Sequence, residues 1–207
     1  MNYAICNELF GSIPFEESCE LTASHGFDGI EIAPFTLFDS DNRIGEAAAA
    51  RVKMALDDNG LRSAGLHWLL AKPEGLHITT PDRDVRLRTR DYLKELIDFS
   101  ALLGGGNLIL GSPRQRSVAV SDATRGISTL KEELALLAVY AAKRSSVLLL
   151  EALPSAHTNV VNRMEEVRQI VEEIDSPGLC GMFDFHNCVD ETLPWAELIS
   201  DYAPIIR

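Results

Sequence analysis

The sequence predicts an α/β protein of the (β/α)8 TIM-barrel class with about six of its β/α units present, and three observations carry that expectation. Short β-type runs alternate with longer segments whose apolar residues return every three or four positions, the pattern of repeated strand and helix units. Glycines stand where helices should hand over to strands, as in His25-Gly26 and Asn59-Gly60, because a residue without Cβ closes a helix in the left-handed conformation at little cost. The segment after the first strand, Asn7-Glu8-Leu9-Phe10-Gly11, lacks the GxGxxG turn that an open dinucleotide-binding sheet requires.

In chain order, the strands are expected over residues 3–7, 29–33, 62–69, 107–111, 147–152 and 181–185. The helices between and after them are expected over 14–25, 44–59, 85–103, 128–143, 163–174 and 194–202. Gly104-Gly105-Gly106 precedes a strand instead of opening a helix, so it reads as a turn. Residues 201–207 read as a helix end followed by the opening of a seventh strand. A barrel of about 250 residues needs two further units. The expectation is therefore one domain over 1–207, a barrel cut short on its C-terminal side, with a closed six-strand variant or an open barrel completed by a partner as alternatives.

Composition narrows the function classes. With 207 residues, 46% of them hydrophobic, the chain can bury one sizeable core. A net charge of -12 offers little to a phosphate backbone, so no nucleic-acid partner is expected. Cys6, Cys19, Cys180 and Cys188 show no CxxC spacing and follow no secretory leader, which fits a reducing cytoplasmic setting. No run of about 18 apolar residues marks a membrane span.

The strongest chemical signal is Ser146-Val147-Leu148-Leu149-Leu150-Glu151, a strand apolar on both faces that ends in a carboxylate. Burying such a charge is unfavourable by several kcal/mol unless a cation or hydrogen bonds compensate. One strand later, Gly181-Met182-Phe183-Asp184-Phe185-His186-Asn187 repeats the arrangement and adds an imidazole and an amide. Oxygen and nitrogen donors together suit a divalent ion, Mn, Mg, Co or Zn, without choosing among them. The competing structural readings are a Glu151 paired with an Arg and an Asp184 capping a turn.

These strand ends resemble the xylose-isomerase-like barrel superfamily, in particular its sugar phosphate isomerase and ketose epimerase branch. The matching segments are Gly29-Ile30-Glu31-Ile32-Ala33-Pro34, Gly65-Leu66-His67-Trp68, Gly111-Ser112-Pro113-Arg114-Gln115-Arg116, Glu151-Ala152-Leu153-Pro154 with Thr158-Asn159, and Phe183-Asp184-Phe185-His186-Asn187. The resemblance implies that Glu151 and Asp184 are metal ligands, that a seventh-strand His and an eighth-strand Glu beyond Arg207 would complete the set, and that Glu151 is also the base. The implied reaction is proton transfer beside a carbonyl through an enediolate, on a small-molecule sugar or sugar phosphate. The pattern departs from the family in two places. His157 stands where epimerases of the group carry a second Glu, and Asp184 and His186 are separated by one residue where many members have two, so either His186 or Asn187 could face the substrate.

Further substrate contacts are expected from His67 at the barrel mouth and from Glu31, which the pattern Ile30-Glu31-Ile32 turns towards the lumen. Arg114 and Arg116, on the loop after the fourth strand, offer a cradle for a phosphate or carboxylate, against the alternative of a solvated basic loop. His25 and His77 read as surface residues. Two other functions compete: an apurinic-endonuclease-like metal phosphodiesterase, against which the acidic balance argues, and a non-catalytic truncated barrel that binds a sugar or a partner. A homo-oligomer is left open.

Overall fold

In a computed structural model, which describes residues 2–38 and 43–207, the alternation becomes one sheet of six parallel strands in the order β1-β2-β3-β4-β5-β6. They are β1 (Ala4–Cys6), β2 (Gly29–Ile32), β3 (Arg62–Leu66), β4 (Gly106–Leu110), β5 (Ser146–Glu151) and β6 (Leu179–Met182). Every expected strand is present, and two boundaries differ in ways that matter. β3 ends at Leu66, short of residue 69, because the chain turns at Trp68, whose φ is 51°. β6 lies earlier than expected and ends at Met182, which leaves Asp184 in the loop past the strand.

The connecting helices are α1 (Phe15–Ser24), α2 (Pro34–Leu37), α3 (Glu46–Asp58), α4 (Arg83–Leu102), α5 (Ala123–Ala142), α6 (Met164–Ile174) and α7 (Trp195–Tyr202). The short α2 was not legible in the periodicity, since a single turn has none; Pro34 opens it, with φ already set for a helix. Asp82 caps α4, its carboxylate accepting from the N–H groups of Asp84 at 2.9 Å and Val85 at 3.2 Å. Where α4 meets α5, buried Glu133 takes a two-pronged bond from Arg90, at 2.6 and 2.8 Å. Gly105 has φ of 81°, and a Cβ there would strike the Ser145 carbonyl, which confirms the glycine run as a tight turn into β4.

Strand alternation sorts the side chains. Ile30 and Ile32 on β2, Leu66 on β3, Leu108 and Leu110 on β4, and Leu148 and Leu150 on β5 join the helices in one buried core. The opposite parity carries Cys6, Glu31, Gly111 and Glu151 to the C-terminal ends of their strands. The predicted opening of a seventh strand appears as a parallel bridge between Gly181 and Ile206, with Gly181 N–H donating to the Ile205 carbonyl at 2.7 Å. Among the described residues, no helix is long and apolar enough to cross a membrane.

Candidate active site

β5 is buried along its whole length, and Glu151 at its end is only 8% exposed. Its partner comes from the turn after β6. There Asp184 Oδ1 accepts the backbone N–H of His186 at 2.8 Å, and this tight turn swings the Asn187 amide back over the two carboxylates. Asn187 Nδ2 donates to Glu151 Oε1 and to Asp184 Oδ2, each at 2.8 Å. Gly111, at the end of β4, makes room for the pair: a Cβ there would collide with Glu151 Oε2. Burial, with Asp184 adding repulsion and Asn187 opposing it, pushes the Glu151 carboxyl up to about 7.

Two carboxylates within hydrogen-bonding reach are thus joined by one neutral amide, and among the described residues neither has a salt-bridged cation. The nearest positive charge is spent elsewhere. Arg116 is 1% exposed and lies beneath the site, its Nη1 donating to the Glu151 carbonyl at 2.8 Å and the Leu110 carbonyl at 3.4 Å, and its Nη2 to the Val161 carbonyl at 3.2 Å. Desolvation lowers this guanidinium to about 10. Its part is to tie the ends of β4 and β5 to the loop that follows, which corrects the expectation of a phosphate cradle built from both arginines. Arg114, on the 3-10 turn Pro113–Gln115, is exposed.

The ends of β1 to β3 form a second cluster. His67, one residue past β3, has Nδ1 3.2 Å from Glu31 Oε2 and Nε2 3.3 Å from Glu8 Oε2. Cys6 Sγ lies 3.4 Å from both ring nitrogens. Burial raises the Glu31 carboxyl, His67 opposes that shift, and Glu8 and Asp184 add to it, so the two clusters sense one another across the mouth. Sequence reasoning found Glu31 and His67 and missed Cys6 and Glu8.

Of the remaining expected residues, Asn187 and not His186 reaches the carboxylates; His186 is exposed and only its backbone N–H bonds Asp184. His157 is exposed, with its backbone N–H donating to the Pro154 carbonyl at 2.8 Å. His77 is half-buried instead of superficial: its Nε2 lies 3.0 Å from the Ser117 carbonyl, and burial lowers its pKa.

A parallel β/α sheet whose strand ends gather carboxylates and an imidazole defines a barrel enzyme scaffold. The chain belongs to the xylose isomerase-like TIM barrel family, whose model matches residues 19–205. Among solved structures it is similar to a 3-keto-D-glucoside 4-epimerase from E. coli, with a TM-score of 0.84 at 18% identity over 100% of this chain and 77% of that one. It is likewise similar to a D-psicose 3-epimerase crystallised in the presence of D-fructose (TM-score 0.83, 18% identity, 100% of this chain and 71% of that one). An AP endonuclease of family 2 from Brucella melitensis also matches, with a TM-score of 0.77 at 18% identity over 100% of this chain and 77% of that one. No curated protein matches the sequence. At these identities the structural likeness establishes the fold.

Proposed function

We propose that this chain is a metal-dependent isomerase or epimerase of a sugar, acting by proton transfer at the carbon beside a carbonyl. The observation that carries the reading is the buried Glu151 and Asp184 pair, bridged by Asn187. Glu151 and Asp184 are the residues that would hold a divalent ion, which when bound supplies charge stabilisation to the substrate oxygens. Glu151 takes the proton: the C–H bond breaks, its electrons form the enediolate double bond while the carbonyl π pair moves onto oxygen, and the proton rests on the carboxyl until it is returned. A bound divalent ion would lower the carboxyl from its metal-free value of about 7 and keep it ionised, free to accept. Return to the neighbouring carbon on the same face gives isomerisation, with Glu151 carrying the carbon-bound proton and a second proton passing from the hydroxyl oxygen to the former carbonyl oxygen. Return on the opposite face gives epimerisation and needs a second acid across the substrate.

The wall around the site favours an uncharged sugar over a phosphorylated one. Glu8, Glu31, Glu151 and Asp184 line the strand ends, while Arg116 is committed to carbonyls. We assign Glu31, His67 and Asn187 to the substrate hydroxyls, with Arg114, His157 and His186 on the outer rim. The test is solvent exchange: with a divalent ion present, the protein should wash deuterium from D2O into one carbon-bound position of a free ketose. Loss of that exchange in Glu151→Gln is expected; no exchange across a panel of ketoses and their phosphates would refute the proposal. The same superfamily shape also supports a metal phosphodiesterase, but a net charge of -12 repels the DNA such an enzyme must hold.

A further inference from the structure

We infer that Cys6, Glu31 and His67 form a second metal site, one that takes a borderline-soft ion such as Zn2+ or Co2+ and is distinct from the carboxylate pair at Glu151. One ligand atom from each of the three lies within 4.8 Å of the others. The spacing is that of a single tetrahedral ion: with metal–ligand bonds of about 2.0–2.3 Å, neighbouring donors stand about 3.5 Å apart. Here Cys6 Sγ to His67 Nδ1 is 3.4 Å, and His67 Nδ1 to Glu31 Oε2 is 3.2 Å. Cys6 Sγ is equally far from both ring nitrogens, so it is Glu31 at Nδ1 and Glu8 at Nε2 that assign Nδ1 to the metal.

The surroundings complete the arrangement. Glu8 Oε2 is shut off from solvent, has no well-aligned donor, and lies 3.3 Å from His67 Nε2. A small rotation of the ring lets Nε2–H donate to it, giving the carboxylate–histidine–metal relay that fixes the tautomer and orients the ring. The backbone N–H of Glu8 points at Cys6 Sγ from 3.4 Å, a bond that favours thiolate. Cys6, Glu8 and Glu31 converge here on His67, and a cation would take the place of the proton on the Cys6 thiol. The placement is built into the sheet, because Cys6 pairs with Glu31 in the β1–β2 register and the His67 N–H donates to the Ile32 carbonyl at 3.0 Å. On binding, the Cys6 S–H bond breaks, its electron pair goes to the metal and its proton to solvent, so affinity rises with pH. A thiolate ligand selects Zn2+ or Co2+ over Mg2+ and Mn2+. The ion's fourth position is open, as in catalytic sites of this ligand count, and would let Glu31 and His67 act on a sugar hydroxyl through the metal.

The test uses Co2+ alone, titrated into the metal-stripped full chain and followed by absorption. A thiolate-to-cobalt charge-transfer band in the near ultraviolet should saturate at one equivalent. It should vanish in Cys6→Ser and in His67→Gln, persist in the Glu151→Gln/Asp184→Asn double variant and in Cys180→Ser/Cys188→Ser, and need about 10–100-fold more Co2+ in Glu8→Gln. Absence of the band in the unaltered protein, which needs no variant to fold, overturns the proposal. So does a band that survives in Cys6→Ser or disappears in the Glu151/Asp184 double variant. Because the readout is spectroscopic, failure here leaves the proposed sugar chemistry standing, and the reverse also holds.

Discussion

Replacing Glu151 by Gln should stabilise the metal-free protein above neutral pH, although it removes the residue assigned to catalysis. An ordinary Glu ionises near 4.5 and Glu151 at about 7, raised chiefly by its burial at the end of β5. The folded protein holds that proton more tightly than the unfolded chain does, so the favourable contribution is complete below pH 4.5 and is lost as pH rises through about 7. At about 1.4 kcal/mol per pH unit, the ionised carboxylate costs the folded state on the order of 3 kcal/mol at pH 8. Gln cannot ionise, keeps an oxygen for the Asn187 amide, and can donate to Asp184 in place of repelling it. In urea, with a dependence of about 1–3 kcal/mol per molar, the midpoint at pH 8 should rise by about 1 M or more. Below pH 4.5 the two proteins should melt alike, since a protonated Glu and a Gln are nearly the same group. Divalent metal should narrow the gap at pH 8, because only the parent keeps both ligands and gains about 2.7 kcal/mol at a hundredfold excess over Kd. Equal midpoints at pH 8 without metal, or a less stable variant, would refute the claim that burial and Asp184 strain this carboxylate.

Three further substitutions separate site from scaffold. Gly111→Ala should change stability by less than about 1 kcal/mol, because the atom its Cβ meets is the mobile end of Glu151, yet it should weaken divalent binding at least tenfold by calorimetry, as the ligand is pushed aside. Arg116→Met takes a donor from the carbonyls of Leu110 and Glu151, while Val161 keeps the Leu153 N–H; at about 1–3 kcal/mol each the loss is at least about 2 kcal/mol, read as a fall of about 4–8 °C in Tm. Asn187→Leu removes the donor that restrains Glu151, so the carboxyl should titrate above 7 when followed by carbon-13 NMR, and an unchanged titration would show that the amide does not hold it.

Glu31 was legible because strand alternation is binary and its neighbours Ile30 and Ile32 join the core, whereas Glu151 and His67 were legible as polar residues closing apolar runs, one at the end of β5 and the other just past β3. Asp184 was legible as a strand-end carboxylate, although the strand stops at Met182. What stayed hidden depends on turns. Whether His186 or Asn187 returns to the site is decided by the bond from the His186 N–H to Asp184, which a residue pattern does not encode. Arg114 and Arg116 look alike in a Ser-Pro-Arg-Gln-Arg stretch, and the 3-10 turn at Pro113–Gln115 sends one to solvent and the other under β5. Cys6 and Glu8 were missed because β1 has three residues, too few to show a period, and the turn that folds Glu8 back over His67 starts immediately after it.

The instability of Glu151 in the metal-free protein and its place in the proposed chemistry have one origin, the want of a cation beside it. A carboxylate in water is too weak a base to take a proton from carbon at a useful rate, and a fully protonated one cannot take it at all. Closing β5 against its neighbours, removing the side chain at Gly111 and turning Arg116 towards carbonyls together strip Glu151 of solvent and of compensating charge, which moves its ionisation to about 7. Water or a cationic side chain returned to this corner would make the metal-free protein easier to keep at pH 8, and the cationic side chain would compete with a divalent ion for Glu151 and Asp184. The stability gained by Glu151→Gln without metal and the metal binding it forfeits are therefore two readings of one buried carboxylate with no cation paired to it, since Arg116 is fastened to backbone oxygens instead of to the carboxylate above it.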